Sequence, residues 1–199
     1  VTGVNYSNGM LWITDLSNGR YLVQDVVTDK FLTQFANTIA NSANKHFSSA
    51  DPVLEADTRD LRISILHPSI ARTGMAISLR KSPPVLRHTE ESLIASGFCS
   101  REVLNLLINC VKAKLVIVFG GEPEAGKTEL AKFMMQYIDP ADRVITIEDS
   151  LELHYGEINS GHDCLELQIR EGFDYKTAIK TSLRQDPRWL MLSEARSSE

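Results

Sequence analysis

The chain has 199 residues, 43% hydrophobic and 24% charged, and a net charge of −5. This is an ordinary globular balance, long enough for one large domain or two small ones with cores of their own. An acidic chain has no global basic field, so nucleic acid is not expected to bind directly and any anion site must be local.

Residues 1–81 predict a small mixed α+β domain. "GMLWITDL" alternates Leu11, Ile13 and Leu16 imperfectly, and "GRYLVQDVV" follows Asn18-Gly19, a hairpin signal. Thr28 or Asp29 then caps a helix with Phe31, Leu32, Phe35, Ala36, Ile39, Ala40 and Ala43 along one face. "RISILHP" and "GMAISLRK" read as strands about a polar turn containing Gly74, with Trp12 and the Phe pair assigned to the core. Pro83-Pro84 breaks the pattern, placing a junction over 82–99 that includes the short helix "TEESLIAS". Next, "SREVLNLLINCVKA" predicts a helix with Val103, Leu106, Leu107 and Cys110 on its buried face.

From residue 115 the pattern is α/β. "LVIVFG" reads as a continuous apolar strand buried on both faces. A helix, "KTELAKFMMQYI", follows, then the strands "RVITIED" and "CLELQIR". The helix "DYKTAIKTSLRQ" ends at Asp186-Pro187, and "WLMLSE" is the last strand. The expected fold is α/β, a small mixed α+β N-terminal domain plus a truncated P-loop (RecA-like) α/β domain over 100–199. The chain starts at Val1 without Met and stops soon after an apolar run, so a fragment of a longer protein is expected. Cys99, Cys110 and Cys164 have no paired spacing, which argues against a disulfide framework and fits a reducing cytosol.

Between the first of these strands and its helix lies Gly121-x-x-x-x-Gly126-Lys127-Thr128, a phosphate-binding (Walker A) frame in the context its mechanism needs. Loop amides and a helix N-terminus attract phosphate, Lys127 adds a charge, and Thr128 reaches Mg²⁺. Glu148 and Asp149 close one strand and Glu194 closes another. In a parallel sheet all three emerge beside the loop, where carboxylates hold a metal or orient water. Two acids, Glu122 and Glu124, sit in the loop itself. A carboxylate about 6 Å from a phosphate charge costs about 3 kcal/mol at an effective dielectric near 20, so weak binding is expected. The spacing of His154, His162 and Cys164 fits no common zinc pattern.

Three segments carry a family resemblance. "TIEDSLELH" resembles the acidic box of the secretion ATPases of type II and type IV secretion, type IV pili and conjugation. "SLRQDPRWLMLSEAR" resembles their second-acid segment. "LRISILHPSIARTGMAISLRK" is similar to the end of their N-terminal domain in the VirB-type and Tad-pilus branch. The resemblance implies a cytoplasmic ATPase at the inner face of the cell membrane, a homo-hexameric ring engaging an inner-membrane platform protein, with ATP and Mg²⁺ as cofactors. It assigns phosphate and Mg²⁺ to Lys127 and Thr128, the acidic box to Glu148, and the second acid to Glu194. Arg196 matches a family arginine, and Arg62 and Arg80 match basic positions that approach nucleotide. Pro123, Glu124 and Ala125 depart from the family's loop, and no histidine box follows the second acid up to Glu199. The 199 residues alone are therefore expected not to turn over ATP. A ring or regulatory subunit without catalysis is the alternative, and a small nucleotide kinase a weaker third reading.

Overall fold

In the computed structural model, which describes residues 1–24, 27–122 and 125–194, the chain divides into two units, Val1–Pro83 and Pro84–Glu199. The first is built on six antiparallel strands: β1 (Gly3–Ser7), β2 (Met10–Asp15), β3 (Gly19–Val23), β4 (Val53–Asp57), β5 (Leu61–Leu66) and β6 (Ala76–Lys81). Their order is β3-β2-β1-β6-β5-β4. Asn8 and Gly9, both at positive φ, close the β1–β2 hairpin in the twist that a two-residue turn favours. Helix α1 (Asp29–Ser42) starts at Thr28, whose hydroxyl accepts from the Phe31 N–H at 3.2 Å. It buries Leu32, Ala36 and Ala40 in a core with Tyr6, Leu54, Ile63, Ile65 and Ile77.

The opposite sheet face is polar. Ser78 donates to Asn5 at 3.0 Å across the strands, and Arg62 stands directly opposite Arg80. Trp12 shares this face, half-buried, with the Arg20 guanidinium 5.1 Å from its ring centre. It is not a core residue, and neither is Phe31, which is 56% exposed and stacks on Phe35. Register puts Trp12 opposite Asn5 on the polar face, and Phe31 lies on the side of α1 away from Leu32, Ala36 and Ala40.

The second unit contains α2 (Glu90–Ala95), α3 (Arg101–Lys112), α4 (Lys127–Met135), β7 (Val144–Glu148), α5 (Tyr155–Ile158), β8 (Cys164–Gln168), α6 (Tyr175–Ser182) and β9 (Trp189–Leu192). Part of the segment read as a junction belongs to this unit's core, since Leu93 of α2 is buried there. The sheet order is β8-β7-β9, all parallel. Every residue of the central strand β7 is buried, because helices cover both faces. Val144 packs with Phe133 and Met135, while Ile145 and Ile147 join Ala178 of α6 in a separate cluster. By the two-residue period of a strand, Thr146 and Glu148 therefore lie on the α4 side.

Two expectations are corrected. On α3 the buried stripe is Leu104, Ile108 and Val111, whereas Val103 and Leu106 are exposed. The run Leu115–Phe119 pairs with no strand among the described residues. Ile117 and Phe119 pack on the core, but Val116 and Val118 are 95% and 87% exposed. An extended segment without a neighbouring strand has one covered face, not two.

Candidate functional site

The loop turns into α4 through Gly126, at φ 85° and ψ 14°. That left-handed conformation costs other residues about 1–2 kcal/mol, so glycine suits the position. No side chain caps the helix. Its first-turn amides therefore lack the side-chain oxygen that caps α1, α2, α3 and α6, and they suit an external anion. The Lys127 ammonium folds back onto the loop, donating to the carbonyls of Gly121 at 2.9 Å and Glu122 at 2.7 Å. Thr128 follows on the helix and makes a long hydrogen bond, 3.5 Å, to Glu152 Oε2.

Glu152 was not singled out from the sequence. It stands four residues beyond Glu148, in the turn that follows β7, and the structure ties the two together. Glu148 is fully buried, and its Oε2 accepts from the backbone N–H groups of Glu152 and Leu153, both at 2.9 Å. Its Oε1 is buried without a hydrogen bond. Burial pushes the Glu148 carboxyl above the ordinary carboxylate range, and the two N–H groups pull it back only in part. So Glu148, expected at the metal and the water, shapes the 148–153 turn, and Glu152 is the acid beside Thr128.

Asp149, the next residue, accepts from the Ser150 N–H at 2.8 Å. Glu194 lies two residues beyond β9 at the same sheet edge as Glu148, because β7 and β9 are parallel and the Ser193 N–H reaches the Ile147 carbonyl at 3.1 Å. Tyr175 connects this edge to α6. Its hydroxyl lies 3.3 Å from Ser193 Oγ, and its pKa is raised by burial first and then by the Asp149 and Glu194 charges.

These residues fit a Mg²⁺–nucleotide. Among the described residues no three His, Cys, Asp or Glu side chains gather as a metal-holding group. Mg²⁺ does not require one, since it keeps several waters and takes phosphate oxygens with one or two protein ligands. A helix N-terminus without a side-chain cap, a lysine and a threonine beside a carboxylate supply that set.

Gly121, Gly126, Lys127, Thr128, Glu148, Asp149 and Glu194 all lie in the second unit, where hydrogen bonds link Lys127 to the Gly121 carbonyl and Thr128 through Glu152 to Glu148. Arg62 and Arg80 face each other in the first unit. Glu124 and Arg196 lie outside the described residues. His162 is engaged with the Tyr155 hydroxyl at 3.0 Å. No helix among the described residues is long and apolar enough to cross a membrane.

A family model described as "Type II/IV secretion system protein" matches residues 48–199. An uncharacterised protein of Bacillus anthracis is 25% identical over 202 residues, covering 100% of this chain and 45% of its own length. The type IV secretion system protein VirB11 of Brucella suis is 27% identical over 197 residues, with 84% of this chain and 54% of the relative covered. A putative conjugal transfer protein of Mycobacterium tuberculosis is 23% identical, covering 95% and 56%. The chain thus spans about half the length of the curated relatives it matches. Among solved structures, the Legionella pneumophila ATPase DotB aligns with a TM-score of 0.56 at 15% identity, covering 99% of this chain and 56% of that one. This likeness concerns the fold alone. The VirB11 ATPase of Brucella suis, in complex with sulphate, aligns at 25% identity and a TM-score of 0.44, covering 98% and 64%.

Proposed function

The chain belongs to the type II/IV secretion system protein family, and we propose that it is part of an ATP-hydrolysing motor subunit whose second unit handles the nucleotide. The observation that carries this reading is the α4 N-terminus. It combines a left-handed Gly126, no side-chain cap, and Lys127 and Thr128 in the first turn. Acids at the carboxyl ends of two parallel strands lie at the same sheet edge.

In this reading Lys127 leaves the Gly121 and Glu122 carbonyls for the phosphates. Thr128 and Glu152 hold the metal and its waters, with Asp149 beside them. Mg²⁺, when bound with ATP, neutralises charge on the phosphate oxygens. Glu194 orients the attacking water. Glu148 keeps the 148–153 turn in place, so that Glu152 faces Thr128. Arg62, Arg80 and Arg196, matched by the family resemblance to basic positions, are proposed as further nucleotide-binding residues. Assembly as a homo-hexamer on an inner-membrane platform, at the cytoplasmic face, belongs to the same proposal, as does type II or type IV secretion or pilus assembly as the process served.

The test uses two substitutions in the full-length protein. Lys127→Ala should weaken ATP binding tenfold or more by calorimetry, because it removes the loop's side-chain cation. Glu194→Gln should leave Mg²⁺–ATP binding in place and cut turnover by about 10²-fold or more. Binding unchanged in Lys127→Ala would place the phosphates elsewhere. Binding and turnover falling together in Glu194→Gln would make that acid a metal or structural residue.

A non-catalytic ring or regulatory subunit is the second reading. It is favoured by the Lys127 ammonium being satisfied by loop carbonyls, beside a loop carrying Glu122. That reading expects ATP binding without turnover in the full-length protein.

A further inference from the structure

Lys132 is the one buried lysine among the described residues, 1% exposed, and nothing in the proposed chemistry uses it. It lies four residues beyond Thr128 on α4, so the two side chains share a helix face. Its ammonium is 3.9 Å from Glu129 Oε1, and Arg87 Nε approaches Glu129 Oε2 at 3.7 Å. Burial pulls the Lys132 pKa down; the Glu129 charge pushes it back up, Arg87 opposes that, and the Glu152 and Glu148 charges raise it further. A buried charge is retained only where such partners compensate it.

We propose that Lys132 is a positioning residue for the nucleotide site, its buried ammonium holding the Glu152 carboxylate in place against Thr128. This rests on the reading of Thr128 and Glu152 as the metal end of that site. Glu129, anchored from outside by Arg87, fixes the ammonium from one side. Glu152 turns its Oε2 to the Thr128 hydroxyl, one helical turn from Lys132 on the same face of α4. A neutral side chain of the same length fills the space but exerts no pull.

The experiment compares Lys132→Met and Lys132→Arg with the unsubstituted chain, after circular dichroism shows that each folds. ATP affinity is measured with and without Mg²⁺, and the ratio of the two is the readout. Lys132→Met should lower that ratio by about tenfold or more, and Lys132→Arg should restore most of it. A crystal structure of Lys132→Met should show Glu152 displaced from Thr128. An unchanged ratio in a folded Lys132→Met, or Glu152 still on Thr128 in its structure, overturns the proposal and makes Lys132 a packing residue.

If the unsubstituted chain binds no ATP, the nucleotide reading fails, and the position of Glu152 in Lys132→Met alone decides the positioning role. If Lys132→Met does not fold, nuclear Overhauser contacts in the unsubstituted chain decide it. Contacts between the Lys132 Cε protons and the Glu152 side chain support the proposal, and their absence overturns it.

Discussion

Glu148 ends β7 with its carboxylate turned toward α4, and holding that charge away from water has a cost. Its folded-state pKa lies above its unfolded value, so the penalty is absent at low pH and grows as pH rises through the folded pKa. Glu148→Gln keeps an oxygen for the Glu152 and Leu153 N–H groups while removing the charge. The substitution should raise the midpoint of thermal unfolding at pH 7 by a few degrees, on the order of 1 kcal/mol, with the gain shrinking toward pH 4. A lower midpoint at pH 7 would mean that neighbouring charge already compensates the carboxylate. The acidic box was legible as a cluster of carboxylates, but which acid stands beside Thr128 was not. Glu148, Asp149 and Glu152 differ in burial, and burial is set by the turn that Glu148 itself holds together.

At the scale of elements, α2 is tied to the segment following α4. The Tyr137 hydroxyl donates to Glu90 Oε1 at 2.8 Å, and burial first, then this bond, push its pKa up to about 12. A raised folded-state value means that the neutral phenol's contribution is complete below pH 10 and is lost as pH climbs through 12. Tyr137→Phe should therefore flatten the alkaline fall of stability in that window, at a cost near neutrality of about 1 kcal/mol. Tyr155, also pushed up to about 12, should retain part of the fall. Urea titrations across the window would check this, and a slope identical to that of the parent would remove Tyr137 from the account.

Elements with one clear signal were readable. Thr28 starts α1, Thr89 and Ser100 cap α2 and α3, and β5 and β6 alternate as expected. On α3 two apolar stripes overlap, Val103-Leu106-Leu107-Cys110 and Leu104-Leu107-Ile108-Val111, with the same helical spacing. Only the packing partner selects the second. Strand β1 carries only Val4 and Tyr6, and β4 is a short run of Val53, Leu54 and Ala56 interrupted by acids; neither was singled out, and pairing with sheet neighbours defines both.

For the whole molecule, charge is divided unevenly. Val1–Pro83 holds eight Lys and Arg against seven Asp and Glu, so the net negative charge belongs entirely to the unit with the phosphate loop. Under the proposed function, phosphate binding there rests on local amides and Lys127, not on the overall field. The segment Leu115–Phe119 has a consequence for the protein as a material. It is a charge-free and proline-free run, Val116 and Val118 project into water, and no described strand occupies its backbone hydrogen-bonding groups. Such a run invites edge-to-edge addition of a second copy, and natural strands guard against that with a charge. Light scattering of the 199-residue chain should rise with concentration. Val118→Lys should suppress that rise without lowering the melting temperature, because the replaced side chain contributes almost nothing to the interior. Scattering that is equal for both proteins would show that this stretch does not nucleate association. If scattering falls in Val118→Lys, the five residues leading into the phosphate loop also set how long a concentrated solution of the protein stays clear.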